Sequence, residues 1–208
     1  MITMIIRLEE EKDYNEVENL VRNSFWNIYR PGAYEHYIVH NLRNHKSFIK
    51  ELAYIIEKDN KIIGHINYSK GKITHKNRNN NAIILGPISI DKKFQNKGYG
   101  TKLIEYTLNI IKNKNIPFVF VIGDKNYYQR FGFETASKYK IYLEGTKEND
   151  ESEFFMIKIF NKNKINFEKT IFQIPEVFNV NEKDVNEVDK KFENKEKKII
   201  KGQLNEGI

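Results

Sequence analysis

The chain has 208 residues, 39% hydrophobic and 30% charged, with 14 Phe and 12 Tyr, which is enough for one packed domain with some terminal extra and excludes wholesale disorder. With no cysteine there is no disulfide framework, thiolate zinc site or thiol nucleophile, and a reducing cytoplasm is expected. The net charge of +7 favours an anionic partner. No stretch reaches the ~18 apolar residues of a membrane span, and the opening residues lack a basic leader region, so a soluble, untargeted protein is expected.

The first element is a short strand, Met4 to Leu8. Asp13 then stands as N-cap to a helix carrying Val17, Leu20, Val21 and Phe25 on one face. Arg30-Pro31-Gly32 breaks the chain, and Tyr34, Tyr37, Ile38 and Leu42 predict a second helix. Leu52 to Glu57 and Lys61 to Tyr68 are β-rich runs joined by the turn formers Lys58-Asp59-Asn60, which is the pattern of a hairpin. The polar stretch Lys70 to Asn81 has no periodicity and is expected as a surface loop. Ala82 to Ile90 is again a strand, interrupted at Gly86-Pro87, where a bulge or splaying is expected because proline cannot donate to a ladder.

From Thr101 the residues Leu103, Ile104, Thr107, Leu108 and Ile111 follow helical spacing, and Asn115-Ile116-Pro117 ends that helix before the strand Phe118 to Ile122. A short helix from Asn126 and strands near Lys140 to Leu143 and Phe154 to Phe160 complete an α/β pattern. Val185, Val188 and Phe192 predict one amphipathic helix in the Lys- and Glu-rich segment from Asn181, with a loose end beyond it. Residues 161 to 208 hold 10 Lys against 9 acidic side chains, so the positive excess belongs to the body of the protein.

Gln95-Asn96-Lys97-Gly98-Tyr99-Gly100 lies between a strand and a helix start. Glycines let the backbone turn sharply and approach a ligand, and the first N–H groups of a helix point outward at its positive end. A pyrophosphate fits such a cradle. The spacing departs from a dinucleotide fingerprint, because Leu103 stands where a third glycine is needed, and it lacks the Gly-Lys-Ser/Thr of a P-loop.

Leu85 to Ile90, followed by Gln95 to Gly100, resembles the acetyl-CoA signature of the GCN5-related N-acetyltransferase (GNAT) superfamily, Gln/Arg-x-x-Gly-x-Gly/Ala. The run from Gly123 to Phe133, GDKNYYQRFGF, resembles the corresponding run of its YhbS-like branch. The resemblance extends from the first strand to about residue 160, with a weaker likeness around Ile174-Pro175-Glu176-Val177-Phe178. It implies an α/β (α+β) fold whose mixed, mostly antiparallel central sheet is splayed at a β-bulge and flanked by helices. Residues 1–160 would form the acetyltransferase domain and 161–208 a partly helical, partly flexible C-terminal extension.

The resemblance further implies acetyl-CoA as co-substrate, no metal, and an amine acceptor that the sequence does not identify. Ile88 and Ile90 would hold the pantetheine through their backbone, with Ser89 between them. Gln95, Asn96, Lys97, Gly98, Tyr99, Gly100 and Thr101 would hold the pyrophosphate, with Lys102 adding charge beside them. Tyr128 matches the family's catalytic tyrosine. Where many members carry an Asn seven residues before that tyrosine, this chain has Val121, a departure from the family pattern at a cofactor contact, in a region where the resemblance to the YhbS-like branch points to Gly123-Asp124.

Acetyl transfer to an amine needs a neutral nucleophile, an oxyanion site and a stabilised thiolate. A lysine-like amine of pKa about 10.4 is neutral roughly once in 2,500 molecules at pH 7. Glu35, His36, His40 and His65 are candidate bases by type, and the Ile88 N–H is the candidate oxyanion donor. A phenol of pKa about 10 protonating a thiolate of pKa about 8.5 is uphill by roughly 2 kcal/mol, so Tyr128 serves at least as well by hydrogen bonding. Tyr127, Phe131 and Phe133 are expected in the core. His36 and His40, spaced i, i+4, lack the adjacent Glu of a zinc helix.

The leading reading is an N-acetyltransferase working through a ternary complex, cytoplasmic, monomeric or homodimeric, with no membrane partner. Its acceptor specificity is expected in Trp26 to Tyr37, Lys70 to Asn81 and the C-terminal extension. The alternative is a non-catalytic acyl-CoA-binding sensor or regulator. Nucleic-acid binding through the +7 charge finds no motif of interleaved basic and aromatic residues to support it.

Overall fold

The computed structural model describes residues 4–75, 78–146, 150–164 and 168–204. The chain forms two compact units, Met1–Asn67 with Pro87–Ile104 and Val177–Ile208, and Tyr68–Gly86 with Glu105–Glu176. It is a mixed α/β protein. Among the described residues its strand pairs are mostly antiparallel, Arg78–Ile90 pairs parallel with Phe118–Ile122 and Ile141–Leu143 with Thr170–Gln173, and helices flank them.

In the first unit, β1 (Met4–Leu8), β2 (Tyr54–Lys58) and the beginning of β3 (Lys61–His75) pair antiparallel in that order. The turn between β2 and β3 places Asp59 at φ 50° and Asn60 at φ 59°. Those left-handed angles match the twist of a two-residue hairpin, and Asn and Asp tolerate them better than branched residues. Helices α1 (Tyr14–Phe25) and α2 (Glu35–Leu42) bury Val17, Leu20, Val21 and Val39 against Ile55 and Ile62. Each such side chain contributes about 1.5–3 kcal/mol on leaving water.

Asp13 sits at the N-cap position of α1, but its carboxylate makes no capping bond to the helix. It accepts instead from the Glu10 N–H at 2.8 Å and from both terminal nitrogens of Arg7. A charged fork outcompetes a backbone amide for the same oxygens, and it holds the Asp13 carboxyl below the usual carboxylate range.

The second unit contains the remainder of β3, most of β4 (Arg78–Ile90), β5 (Phe118–Ile122), β6 (Glu134–Thr135), β7 (Ile141–Leu143), β8 (Phe155–Ile159) and β9 (Thr170–Gln173). Pairs β4–β5 and β7–β9 are parallel, while β5–β8, β6–β8 and β3–β9 are antiparallel. Its core packs Phe120, Phe155 and Phe172 with Ile73, Ile84 and Ile157. The rings of Phe120 and Phe172 lie 4.5 Å apart between centroids.

The surface loop expected over Lys70 to Asn81 is strand over its described residues 70–75 and 78–81, and 76–77 lie outside the described residues. Gly71 and Ile73 are buried while Lys70 and Lys72 are exposed, which is the two-residue alternation of a half-buried strand. Lys72, Ile73 and Thr74 pair with β9, a strand absent from the sequence reading. Over the residues whose burial is described, exposed Lys70 and Lys72 concealed a buried face carrying Gly71 and Ile73.

The chain crosses between the units within β3, β4 and the helix α3 (Tyr99–Asn113). A four-residue helix α4 (Lys125–Tyr128) follows β5. The amphipathic helix expected near the C-terminus is α5 (Glu182–Asp189), which begins at an Asn181 cap and ends before Phe192. Among the described residues no helix is long and apolar enough to cross a membrane.

Candidate functional site

The register of β4 with β5 covers Ile83, Ile84 and Leu85 and stops before Gly86. Gly86 has φ +139°, an angle that side-chain-bearing residues rarely adopt, and Pro87 then offers no N–H. The next three residues, Ile88, Ser89 and Ile90, line a cavity of about 240 Å³ together with Lys92 and Gln95. Ser24, Phe25, Ile28 and Tyr29 from the end of α1 and beyond also line it. All nine belong to the first unit. The Ile90 carbonyl is already occupied, accepting from Ser24 Oγ and from the Gln95 side-chain amide, each at 3.0 Å. Ser24 carried no signal in the sequence, because nothing local links an α1 serine to a strand 66 positions away.

Beyond β4, Asp91 opens a short 3-10 turn, accepting from the Lys93 N–H at 2.9 Å. The chain then takes left-handed angles at Asn96 (φ 59°) and Gly98 (φ 82°) before α3 begins at Tyr99. Lys102 N–H donates to Gly98 O at 3.0 Å. Gly98 is therefore the residue whose carbonyl takes the first helical bond, and the N–H groups of Tyr99, Gly100 and Thr101 precede the helical ladder. Gln95, Asn96, Lys97 and Gly98 are exposed. Lys97 folds back, its Nζ donating to Lys93 O at 3.0 Å, and Tyr99 rests edge-on against Phe94. Lys58 Nζ lies 5.3 Å from the Phe94 ring, so positive charge gathers on this end of the unit. Exposed N–H groups, a helix N-terminus and lysines together make an anion-binding surface.

Tyr128 belongs to the second unit. The Asp124 carboxylate caps α4 through the Asn126 N–H at 2.9 Å, and Tyr128 ends the helix, 7% exposed. Its ring is edge-on to Tyr127 and Phe133, with centroids 5.1 and 5.8 Å away. Phe131 and Phe133 are buried. Gly132 closes the next turn at φ +79°. Val121 is fully buried on β5 opposite Leu85 and Met156, a core position.

The candidate bases are distributed as follows. The Glu35 carboxyl accepts from the Tyr34 N–H at 3.0 Å and is raised by burial. His36 is fully buried 3.0 Å from Asp189, and burial lowers its pKa. His40 lies 3.0 Å from Glu18, its side chain 41% exposed. His65 is fully buried and held neutral, down to about 3, first by burial and then by the charge of Arg43. Among the described residues no three His, Asp or Glu side chains converge as metal ligands.

Two ion clusters escaped the sequence reading. Arg43 bridges Glu9 at 2.6 Å and Glu18 at 2.5 Å with all three side chains buried. Arg22 donates to Asp189 at 2.8 Å. Beyond α5 the chain braces the segment that follows α1, of which Tyr29 lines the cavity. Trp26 Nε1 and Asn27 Nδ2 each donate to Glu196 O at 3.0 Å, and Leu204 N–H donates to Tyr29 O at 2.9 Å.

Residues 18–133 match the family profile described as "Acetyltransferase (GNAT) family". Over 138 residues the chain is 25% identical to the uncharacterized N-acetyltransferase YhbS of Escherichia coli K12, covering 66% of this chain and 78% of that one. The fold resembles that of an Escherichia coli YhbS structure in complex with CoA, with TM-score 0.73, 23% identity, and 86% and 94% of the two chains covered. It also resembles a GNAT family acetyltransferase from Brucella melitensis in complex with acetyl-CoA, with TM-score 0.65, 24% identity, and 85% and 98% covered. The profile spans the splayed strand, the turn before α3 and α4 together, so the chain belongs to the GNAT acetyltransferase family.

Proposed function

We propose that this protein is an acetyl-CoA-dependent N-acetyltransferase that carries an acetyl group to a primary amine by direct attack in a ternary complex. The observation that carries this reading is the run from Gln95 to Thr101. Left-handed angles at Asn96 and Gly98 turn the chain into the first turn of α3 beside the cavity lined by Ile88, Ser89 and Ile90. Family membership and the CoA and acetyl-CoA complexes of the two structural neighbours support it.

In this reading the N–H groups from Asn96 to Thr101 hold the pyrophosphate, because the helix N-terminus and the flanking lysines favour two negative charges there. Ile88, Ser89 and Ile90 hold the pantetheine arm. The occupied Ile90 carbonyl leaves the N–H side of that backbone as the better candidate donor. Gln95 acts on the strand, its side chain fixing Ile90, as much as on the cofactor. Bound acetyl-CoA supplies a thioester whose carbonyl the amine attacks. Tyr128 donates a hydrogen bond to the departing thiolate, which a phenol stabilises without giving up its proton.

The reading makes residues 1–160 the acetyltransferase domain and 161–208 its C-terminal extension. It places the enzyme in the cytoplasm as a monomer or homodimer. The acceptor's chemistry would be set by Trp26 to Tyr37, which the extension braces at Trp26, Asn27 and Tyr29. The test is calorimetric titration with acetyl-CoA and, separately, with its pantetheine part lacking the 3'-phosphate-ADP portion, followed by thiol release with a panel of amines. Binding that needs the nucleotide portion, then amine-dependent thiol release, is expected. Binding without release by any amine would favour the acyl-CoA sensor, and no binding would overturn both.

A further inference from the structure

Ser24 stands in the last turn of α1 and lines the cavity, yet the site described above gives it no part in holding a ligand. Its Oγ lies 2.8 Å from Leu20 O and 3.0 Å from Ile90 O. A hydroxyl carries one proton and donates to one of them at a time. Leu20 O, one helical turn back, is the ordinary partner of a serine inside a helix. Ile90 O is 66 positions away, on the splayed end of β4.

The direction of that carbonyl follows from the strand. Asp91 N–H donates to Ile63 O at 2.9 Å, toward β3. In a planar trans peptide the C=O points opposite to the N–H, so Ile90 O points away from β3. Alternation along the strand gives Ile88 N–H, Ile88 O and Ile90 N–H the same direction. Ile90 O also accepts from the Gln95 side-chain amide at 3.0 Å, and a carbonyl oxygen has two lone pairs. With both donors in place it has none left for a ligand. The edge then offers Ile88 N–H, Ile88 O and Ile90 N–H.

The same peptide unit is where the strand becomes the turn before α3. Asp91 O accepts from Phe94 N–H at 2.7 Å and from Gln95 N–H at 3.1 Å, so Gln95 grips residues 90 and 91 through its side chain and its backbone. Gln95 belongs to the turn that it holds. Ser24 comes from α1, whose end lines the cavity together with Ile28 and Tyr29 beyond it. The Ser24 bond therefore joins two parts of the lining that are remote in sequence.

We propose that Ser24 is a positioning residue for the cofactor: its hydroxyl pins the end of α1 to the Ile90 peptide and so fixes the cleft in which the pantetheine arm lies. The proposal rests on the acetyl-CoA reading. Leu20 O gives the pin an open position, because a hydroxyl that leaves Ile90 finds another acceptor 2.8 Å away and no donor is stranded. The pin opens as the arm enters and closes behind it, so its loss is felt when the ligand leaves.

Ser24→Ala removes the pin and puts the best helix former in its place. Calorimetry and stopped-flow measurements with acetyl-CoA are expected to show about 5-fold weaker affinity, the worth of one neutral hydrogen bond, carried by faster dissociation, while the thermal midpoint of the ligand-free protein does not fall. Unchanged affinity, or a fall in midpoint with the dissociation rate unaltered, overturns the proposal. Ser24→Thr keeps the hydroxyl and is expected to bind like the wild type; binding as weak as that of Ser24→Ala would show that the hydroxyl is not the cause. Adding Gln95→Ala to Ser24→Ala should cost more than the two single losses multiplied, because both donors hold one carbonyl, and losses that simply multiply refute the shared grip. If the wild-type chain binds neither acetyl-CoA nor CoA, the acetyl-CoA reading falls, and amide exchange in the ligand-free protein still decides the pin: Asp91 N–H is expected to exchange faster in Ser24→Ala, and an unchanged rate overturns it.

Discussion

Gly123 offers a way to move Tyr128 without changing it. Gly123 lies at the end of β5, its N–H donating to Phe154 O at 2.9 Å. A methyl placed on it would overlap Tyr128 Cε2 and come within 3.2 Å of Cδ2 and 3.5 Å of Cζ. The ring cannot yield freely, because Tyr127 and Phe133 abut it and it is 7% exposed. Gly123→Ala is therefore expected to cost about 1–3 kcal/mol, the usual penalty of overpacking, and to displace the hydroxyl. If that hydroxyl hydrogen-bonds the thiolate, losing a charge-assisted bond of about 1.5–3 kcal/mol lowers kcat about 10- to 150-fold. Tyr128→Phe removes the same bond while keeping the ring, so it should give that loss in kcat with stability nearly unchanged. Both single variants and the double variant are compared by urea unfolding and by steady-state thiol release. In the double variant the rate loss from Gly123→Ala should vanish, because no hydroxyl remains to be displaced, while its stability cost persists. Full additivity of the two rate losses would show that Gly123→Ala does not act through Tyr128, and an unchanged kcat in Tyr128→Phe would refute the role assigned to its hydroxyl.

Gly98→Val forces a branched side chain to φ +82° with open space around it, so it should strain the start of α3 by about 1–2 kcal/mol and weaken acetyl-CoA binding. Unchanged affinity by calorimetry would sink the cradle. Asp189→Ala leaves Arg22, 3% exposed, and the buried His36 without their carboxylate and should cost about 3 kcal/mol in urea unfolding; a loss below about 1 kcal/mol would show the pair to be replaceable by Glu193 O, which Arg22 also reaches. Burial holds the folded His65 pKa below its unfolded value of 6.5, down to about 3. Its contribution is therefore fully present above pH 6.5 and is lost as pH falls toward the folded value, by up to about 1.4 kcal/mol per pH unit. His65→Leu should flatten the fall in urea midpoint between pH 7 and pH 5, and an equal slope in both proteins would mean that the ring is protonated when folded.

The sequence made the splayed strand and the turn before α3 legible because both depend on residues that constrain their own backbone. Pro87 removes a ladder donor wherever it stands, and Gly98 permits its φ without reference to neighbours. The hairpin at Asp59-Asn60 was legible for the same reason. Lys70 to Asn81 was not, because its strand is specified by Phe172 and Gln173 on β9, about a hundred positions away. The run Glu9-Glu10-Glu11 reads as solvated charge, and only the arrival of Arg43 and His65 decides that Glu9 is the buried one.

The same division explains why the cofactor half of the proposed site is readable and its acceptor half is not. Phosphate is held by backbone N–H groups, and a backbone can be aimed by a few consecutive residues. An acceptor is chosen by side chains and by where loops are tethered. Here the end of α1 and its connection to α2 are tethered from the far end of the chain, Arg22 to Asp189 across 167 positions and Asn27 to Glu196 across 169. Neither partner carries a signal by itself: Asn27 looks like a loop residue and Asp189 like a helix-surface carboxylate. On the proposed reading, acceptor preference in relatives that share the cradle should follow differences in this tether more closely than differences in the glycine-rich turn, because the turn would meet the same diphosphate in each of them and the tether would set what stands across from the thioester.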